Sequence, residues 1–305
     1  MKNKTTLVSV IVPTYGRPEF LELAIKSILK QTYQNIEIII IDDNKDYNVH
    51  VETLNLVNKL KSLNSKFEII YFFDGNNRGG ALARNKGIEL SRGEYITFLD
   101  DDDIYLSDKV EKQIYHIIHN ELDVSVCDML FNKKGKFLDV SNCYARVNNF
   151  NDFILNGNAY TPMIMCKKIA LLDVKGFTDS PRYQDHILMI KLFEKGKQIS
   201  HLKEKLFIHN DHNNPRVTFS KNSELAYKIR TSYEKRNLSR LSDIQIKKYY
   251  LNDFLIESKL YRANNNYFKS LKFIFKSFFK ITSFNDVFKI LKTIIRIHLY
   301  PQKNI

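Results

Sequence analysis

Cysteine is scarce: Cys127, Cys143 and Cys166 are the only three in 305 residues, and no two form a CxxC pair. That count argues against a structural zinc site and for a reducing compartment. No GxGxxG follows the first predicted strand, and no GxxxxGK[ST] occurs anywhere. A nicotinamide enzyme and a P-loop NTPase are thereby disfavoured. No uncharged stretch approaches the roughly 20 residues that span a bilayer. The apolar run Leu7–Val12 behind the basic start is short and stops at Pro13, so it reads as a first strand rather than a signal peptide. What remains is ordinary for a globular protein: 44% hydrophobic and 27% charged residues.

Against that background one stretch stands out, Glu94-Tyr-Ile-Thr-Phe-Leu-Asp-Asp-Asp-Asp103. Tyr95–Leu99 is aromatic, β-branched or aliphatic and follows Gly93, the pattern of a short buried strand. It ends in four consecutive carboxylates, whose mutual repulsion must be offset. A solvated turn or an N-terminal helix cap would account for an isolated acidic run. At the end of a buried strand of an open α/β sheet, where ligands bind, a divalent cation bridging to a diphosphate accounts for it better.

Charge is distributed unevenly. Residues 201–305 hold 21 Lys and Arg against 8 Asp and Glu, which is the whole of the +13 excess. The first two-thirds is neutral. A partner of negative charge is therefore expected at the last third.

Taken in order, the chain alternates strand and helix: strand Val8–Val12, helix Phe20–Leu29, strand Glu37–Ile41, helix Val51–Leu63, strand Phe67–Phe73, helix Gly80–Leu90, strand Tyr95–Leu99. This alternation predicts a mostly parallel sheet with helices on both faces. A helix over Ser107–His119 with Ser107 as N-cap follows. Next come a strand over Val124–Met129, a hairpin tip at Lys133–Lys136, a strand over Pro162–Cys166, a helix at Ile169–Leu172, a helix over Ile187–Lys195 and a strand over Lys205–Ile208. Residues 139–160 carry no clear period. Carboxylates close two strands, Asp42/Asp43 and Asp100–Asp103, and suit ribose, a base N–H or a metal. Arg84 and Lys86 lie between them as phosphate partners.

Four blocks in this order resemble the family-2 glycosyltransferases: Val8-Ser-Val-Ile-Val-Pro-Thr-Tyr15, Glu37-Ile-Ile-Ile-Ile-Asp-Asp43, Asn77-Arg-Gly-Gly-Ala-Leu-Ala-Arg-Asn-Lys-Gly87 and Phe98-Leu-Asp-Asp-Asp-Asp103. The resemblance covers about residues 6–220. It implies a GT-A fold, a nucleotide-diphosphate sugar donor, a divalent cation (Mn²⁺ or Mg²⁺) and inversion at the anomeric carbon. By position it places Pro13, Tyr15 and Asp43 in the nucleoside pocket, with Arg17, Asn77 and Arg84 in the same nucleotide-sugar-binding set. Asp100 and Asp102 would be the DxD pair, Asp102 the direct metal ligand, and Asp101 an alternative in a run of four. After Lys175-Gly-Phe177 the resemblance makes Asp185 the catalytic base, with His186 the alternative. The chain departs from the usual Glu-Asp by having Gln184. His209 and His212 are candidate metal contacts, and Arg216 a candidate diphosphate contact.

The segment from about Ser220 reads as helical. Lys269, Lys272, Lys276 and Lys280 fall on one helix face, with Phe268, Leu271, Phe275 and Phe278 or Phe279 on the others. Ten basic residues and one acidic residue lie between Lys259 and Ile305, the pattern of an interfacial helix on anionic membrane. A plain helical cap with solvated lysines is the alternative. The reading is then a catalytic domain over 1–218 and a docking region over 219–305. The enzyme is expected in the cytoplasm, peripheral at the inner membrane face. It would transfer a UDP-sugar to a glycan or lipid-linked acceptor in cell-surface polysaccharide synthesis. Nucleic acid is not expected, because the neutral part is the catalytic one. A metal-dependent nucleotidyltransferase and a polyanion-binding protein are the rivals.

Overall fold

The computed structural model describes residues 6–211 and 222–299. His212, Arg216 and the boundary expected at 218 lie outside the described residues. The chain divides into two compact units: Met1–Phe153, Gly157–Asp179 and Gln184–Asn213 in one, and Ile154–Asn156, Ser180–Tyr183 and Asn214–Ile305 in the other.

In the first unit, β1 (Val8–Thr14), α1 (Pro18–Leu29), β2 (Ile36–Asp42), α2 (Tyr47–Leu63), β3 (Glu68–Phe73), α3 (Gly80–Leu90) and β4 (Tyr95–Phe98) follow one another as the alternation predicts. They form a parallel sheet in the order β3-β2-β1-β4. Every residue of β2 is buried, as expected of a parallel strand covered on both faces. A Cβ on Gly87 would lie 2.4 Å from Ile11 Cγ2, so the glycine lets α3 seat against β1. Two helices begin earlier than their apolar period suggests. Pro18 opens α1 at a position needing no backbone donor. Asp46 accepts the N–H of Asn48 at 2.8 Å and starts α2 at Tyr47.

β5 (Ile104–Tyr105), α4 (Lys109–His119), β6 (Val124–Lys133), β7 (Lys136–Leu138), α5 (Phe150–Asn156), β8 (Ile164–Lys167), α6 (Lys168–Asp173), α7 (Gln184–Glu194) and β9 (Ile199–Asp211) extend the sheet through β8, β6, β9 and β5. The hairpin tip is at Lys134-Gly135, both at positive φ, as a tight two-residue turn requires. Ser107 is not the cap of α4: the helix starts at Lys109, and Asp108 at its N-cap makes no side-chain capping bond. Lys109 is instead fully buried, donating to Thr97 Oγ1 at 2.9 Å and Gln113 Oε1 at 2.6 Å, and burial lowers its pKa to about 8. The three cysteines are buried thiols.

The second unit holds α8 (Asn222–Lys235), α9 (Asp243–Ala263), α10 (Tyr267–Phe278) and α11 (Phe284–Ile294). Leu251, Leu255, Ile274 and Ile290 form its core. The inward face of α10 is Ser270, Ile274 and Ser277. Phe273 packs against Phe254 and Tyr261 of α9, whereas other rings face outward: Phe268 is 89% exposed, Phe275 64%, Phe279 70% and, on α11, Phe284 76%. Lysines cross the rings of α9, Lys276 over Phe254 and Lys280 over Tyr250. Among the described residues no helix is long and apolar enough to cross a membrane.

Candidate active site

Parallel pairing of β1, β2 and β4 puts their C-terminal ends at one edge, where the segments after them meet. Two carboxylates, Asp42 and Asp43, knit this edge together. Asp42, buried at the end of β2, accepts from Tyr71 Oη and from Asn44 Nδ2 at 2.6 Å, and lies 3.1 Å from His50 Nδ1. Asn44 in turn accepts the N–H of Gly16 at 2.6 Å, which fixes the segment after β1. Asp43 closes on the start of α3, accepting the N–H groups of Arg78 at 2.7 Å and Gly79 at 2.8 Å. Backbone N–H groups at a helix start are well-placed donors to a carboxylate. Asn77 donates to Asp43 O at 3.1 Å. Tyr15 is exposed and Pro13 half-buried beside them.

The acidic run alternates. Asp101 and Asp103 are buried, at 2% and 0% exposure, while Asp100 and Asp102 are partly exposed. Asp101 accepts Thr14 Oγ1 at 2.9 Å and Tyr15 N–H at 3.3 Å and pairs with Arg17, whose other terminal nitrogen reaches Asp102 at 2.6 Å. Burial pushes the Asp101 carboxyl up to about 7, with Arg17 opposing. Asp103 is 3.0 Å from His209 Nδ1 and accepts the N–H of Asn210 at 3.1 Å. Burial raises Asp103 and the histidine opposes it. Asp100 pairs with Arg84. Each of the four carboxylates thus has a basic partner within the protein. Arg17, Arg84 and His209 offset the repulsion for which the sequence reading invoked a divalent cation.

Arg84, 8% exposed, also donates through Nη1 to Gln184 Oε1 at 2.9 Å. It links the acidic run to the first turn of α7, where Asp185 stands inside the helix rather than ahead of it. Asp185 accepts the N–H of His186 at 2.7 Å. Burial lifts its pKa to about 6, Asp100 adds to the rise, and the His186 N–H and Arg84 oppose it. The His186 ring stacks on Phe153, centroids 4.8 Å apart. Among the described residues no three His, Cys, Asp or Glu side chains converge on an ion position. The partly exposed, hard-oxygen carboxylates Asp102 and Asp100 fit a Mg²⁺- or Mn²⁺-type ion held by one or two carboxylates, with substrate phosphate and water completing the shell. Asn44, Asn210 and the bridging use of Gln184 escape a sequence reading, since each acts on a residue distant in the chain.

Comparison with known proteins agrees with this architecture. Staphylococcus aureus TarS (residues 1–349), crystallised with UDP-GlcNAc, superposes with a TM-score of 0.59 at 18% identity over 88% of this chain and 89% of that one. The mannosyltransferase PcManGT of Pyrobaculum calidifontis, in complex with GDP-Man and Mn²⁺, gives 0.55 at 14% identity over 98% and 82%. The shared architecture is the GT-A fold. In sequence, an uncharacterized glycosyltransferase of Haemophilus influenzae is 38% identical over 128 residues, 40% of this chain and 49% of its own length. The Escherichia coli UDP-Glc:alpha-D-GlcNAc-diphosphoundecaprenol beta-1,3-glucosyltransferase WfgD is 33% identical over 117 residues, 38% of this chain and 43% of its own. The chain thus spans about half the length of these relatives. Residues 9–174, more than half of the chain, match the family described as glycosyl transferase family 2, and the chain belongs to that family.

Proposed function

We propose that the chain is a metal-dependent, inverting glycosyltransferase. It moves a sugar from a UDP-sugar to a hydroxyl of a glycan or lipid-linked acceptor in cell-surface polysaccharide synthesis. One observation carries the reading: Arg84 ties Asp100 of the acidic run to Gln184, the neighbour of Asp185. A carboxylate suited to accepting a proton and a carboxylate pair suited to a diphosphate–metal group are thereby held by one guanidinium. UDP as carrier is supported by WfgD, whose name specifies UDP-Glc.

Asp185 takes the proton of the acceptor hydroxyl as its oxygen bonds to the anomeric carbon and the bond to the diphosphate oxygen breaks, inverting configuration. A base with a pKa near 6 is ionised at neutral pH and stronger than an ordinary aspartate. Asp102, with Asp100, would hold a divalent cation, which supplies charge stabilisation to the departing diphosphate. Pro13, Tyr15, Arg17, Asp43, Asn77 and Arg84 bind or frame the donor. The catalytic part is 1–218.

The region 219–305 docks on anionic membrane at the cytoplasmic face. Outward phenylalanines beside exposed lysines on α10 and α11 support this over a plain helical cap, which would turn its rings inward. The deciding experiment is a mass-spectrometric screen of nucleotide sugars with the purified chain, reading hydrolysis and transfer. Turnover of one UDP-sugar is expected. Release of pyrophosphate from a nucleoside triphosphate, with no sugar donor consumed, would replace the reading by nucleotidyl transfer.

A further inference from the structure

The second unit contains a cleft of about 290 Å³ lined by α8, α9, α11 and the end of α5. The acids in its lining are matched within the protein. Asp253 accepts from Tyr227 Oη and lies 3.2 Å from Lys235, and Glu234 takes Arg230 at 2.7 Å and Tyr249 Oη at 3.1 Å. The same lining includes Lys259 and Asn252 of α9 with Lys289 and Thr293 of α11. Lys289, at the exposed rim, donates to Asn252 Oδ1 at 2.6 Å, which leaves the Asn252 amide N–H groups as donors. Lys259 is half-buried and has no carboxylate partner among the described residues. The charges acting on it are those of Arg296 and Lys289, both of its own sign. Burial and these like charges hold its pKa below the ordinary lysine value.

A half-buried ammonium that shares a cleft with a second lysine and has no carboxylate partner is costly unless an anion enters. We infer that Lys259, Lys289 and Asn252 form a binding site for a phosphate group, supplied either as free phosphate or by a phospholipid headgroup. Lysine ammonium groups bind phosphate as point charges, and the neutral amide adds a hydrogen bond. The volume lies at the lower limit of ordinary ligand pockets, enough for a phosphate with its ester substituent. Because Asp253 and Glu234 are already matched by Lys235, Arg230 and tyrosine hydroxyls, an entering anion meets no unpaired carboxylate in this lining.

The test compares the full-length parent with Lys259→Gln and Lys289→Gln in phosphate-free buffer, in inorganic phosphate, and with dihexanoyl phosphatidic acid below its micellar concentration. Sodium chloride at matched ionic strength is the control for screening. Without phosphate, Lys259→Gln should melt at or above the parent temperature, because a repelled charge has been removed. With either phosphate probe the parent should gain melting temperature, and Lys259→Gln should lose most of that gain. Titration calorimetry should read at least tenfold weaker binding in both variants. Equal affinity for the two probes assigns recognition to the phosphate group alone, and binding of the phosphatidate only assigns it to a lipid headgroup. If Lys259→Gln does not fold, Lys289→Gln at the exposed rim reads the same loss. Parent and variants responding alike, or no response of the parent to either probe, would overturn the site. Neither residue is among the four lysines proposed for membrane docking, so the two ideas can fail separately.

Discussion

Arg84 Nη1 lies 2.9 Å from Gln184 Oε1, one residue before Asp185, while Nη2 of the same guanidinium pairs with Asp100. One side chain thus sets the spacing between the acidic run and the helix bearing the base candidate. Its Nε is buried without a hydrogen-bond partner among the described residues.

Arg84→Lys keeps the charge and loses the fork. We expect kcat/KM to fall about 10- to 100-fold, the equivalent of one or two lost hydrogen bonds to charged groups. The melting temperature should move far less. A loss of stability with unchanged turnover of the surviving folded fraction would make Arg84 structural only.

Asp185→Asn should reduce kcat by about 10²–10⁴-fold while nucleoside diphosphate affinity, read by calorimetry, stays within a fewfold. In the parent, activity requires the ionised carboxylate. It should therefore rise with pH and level off above about 6, the value to which burial lifts this group. Gln184→Glu adds a like charge beside it and should move that acid limb to higher pH. A parent profile flat from pH 5 to 8, or nucleotide affinity collapsing with rate in Asp185→Asn, would remove Asp185 from the role of base.

Chelation should abolish transfer, and added Mn²⁺ or Mg²⁺ should restore it. Asp102→Asn should be inactive yet folded, because its side chain is partly exposed. Asp101→Asn should instead lower the melting temperature, since Asp101 is buried and holds Thr14, Tyr15 and Arg17. Full activity in excess chelator would falsify the metal assignment.

Lys269, Lys272, Lys276 and Lys280 together contribute about 1 kcal/mol each near an anionic surface, screened by salt. The quadruple Gln variant should stay folded and lose sedimentation with anionic vesicles. Phe275, Phe279, Phe284 and Phe288 are all exposed, so changing them to Ser should barely alter stability but should remove the salt-resistant part of binding. Sedimentation of both variants like the parent would mean that these helices face water.

Local pattern determined much of this protein. Runs such as Ile36–Asp42 cannot be exposed, and their alternation with amphipathic helices leaves few topologies besides a parallel sheet with ligand-binding strand ends. The order of the four blocks, read the same way, led to family 2. Other features required the fold. Sequence shows four adjacent carboxylates but not which face inward; strand geometry and the turn from Asp100 to Asp103 bury alternate members. Nor does it show their counter-charges, because Arg17, Arg84 and His209 are separated from them by 16 to 106 positions and meet them only through parallel pairing and the course of β9. In α10, the 3.6-residue period places lysines and phenylalanines on different faces, yet either could be the buried one. Tertiary packing settled it by seating Ser270, Ile274 and Ser277 inward, where small residues let α10 lie close to α9, and left Phe268, Phe275 and Phe279 outside.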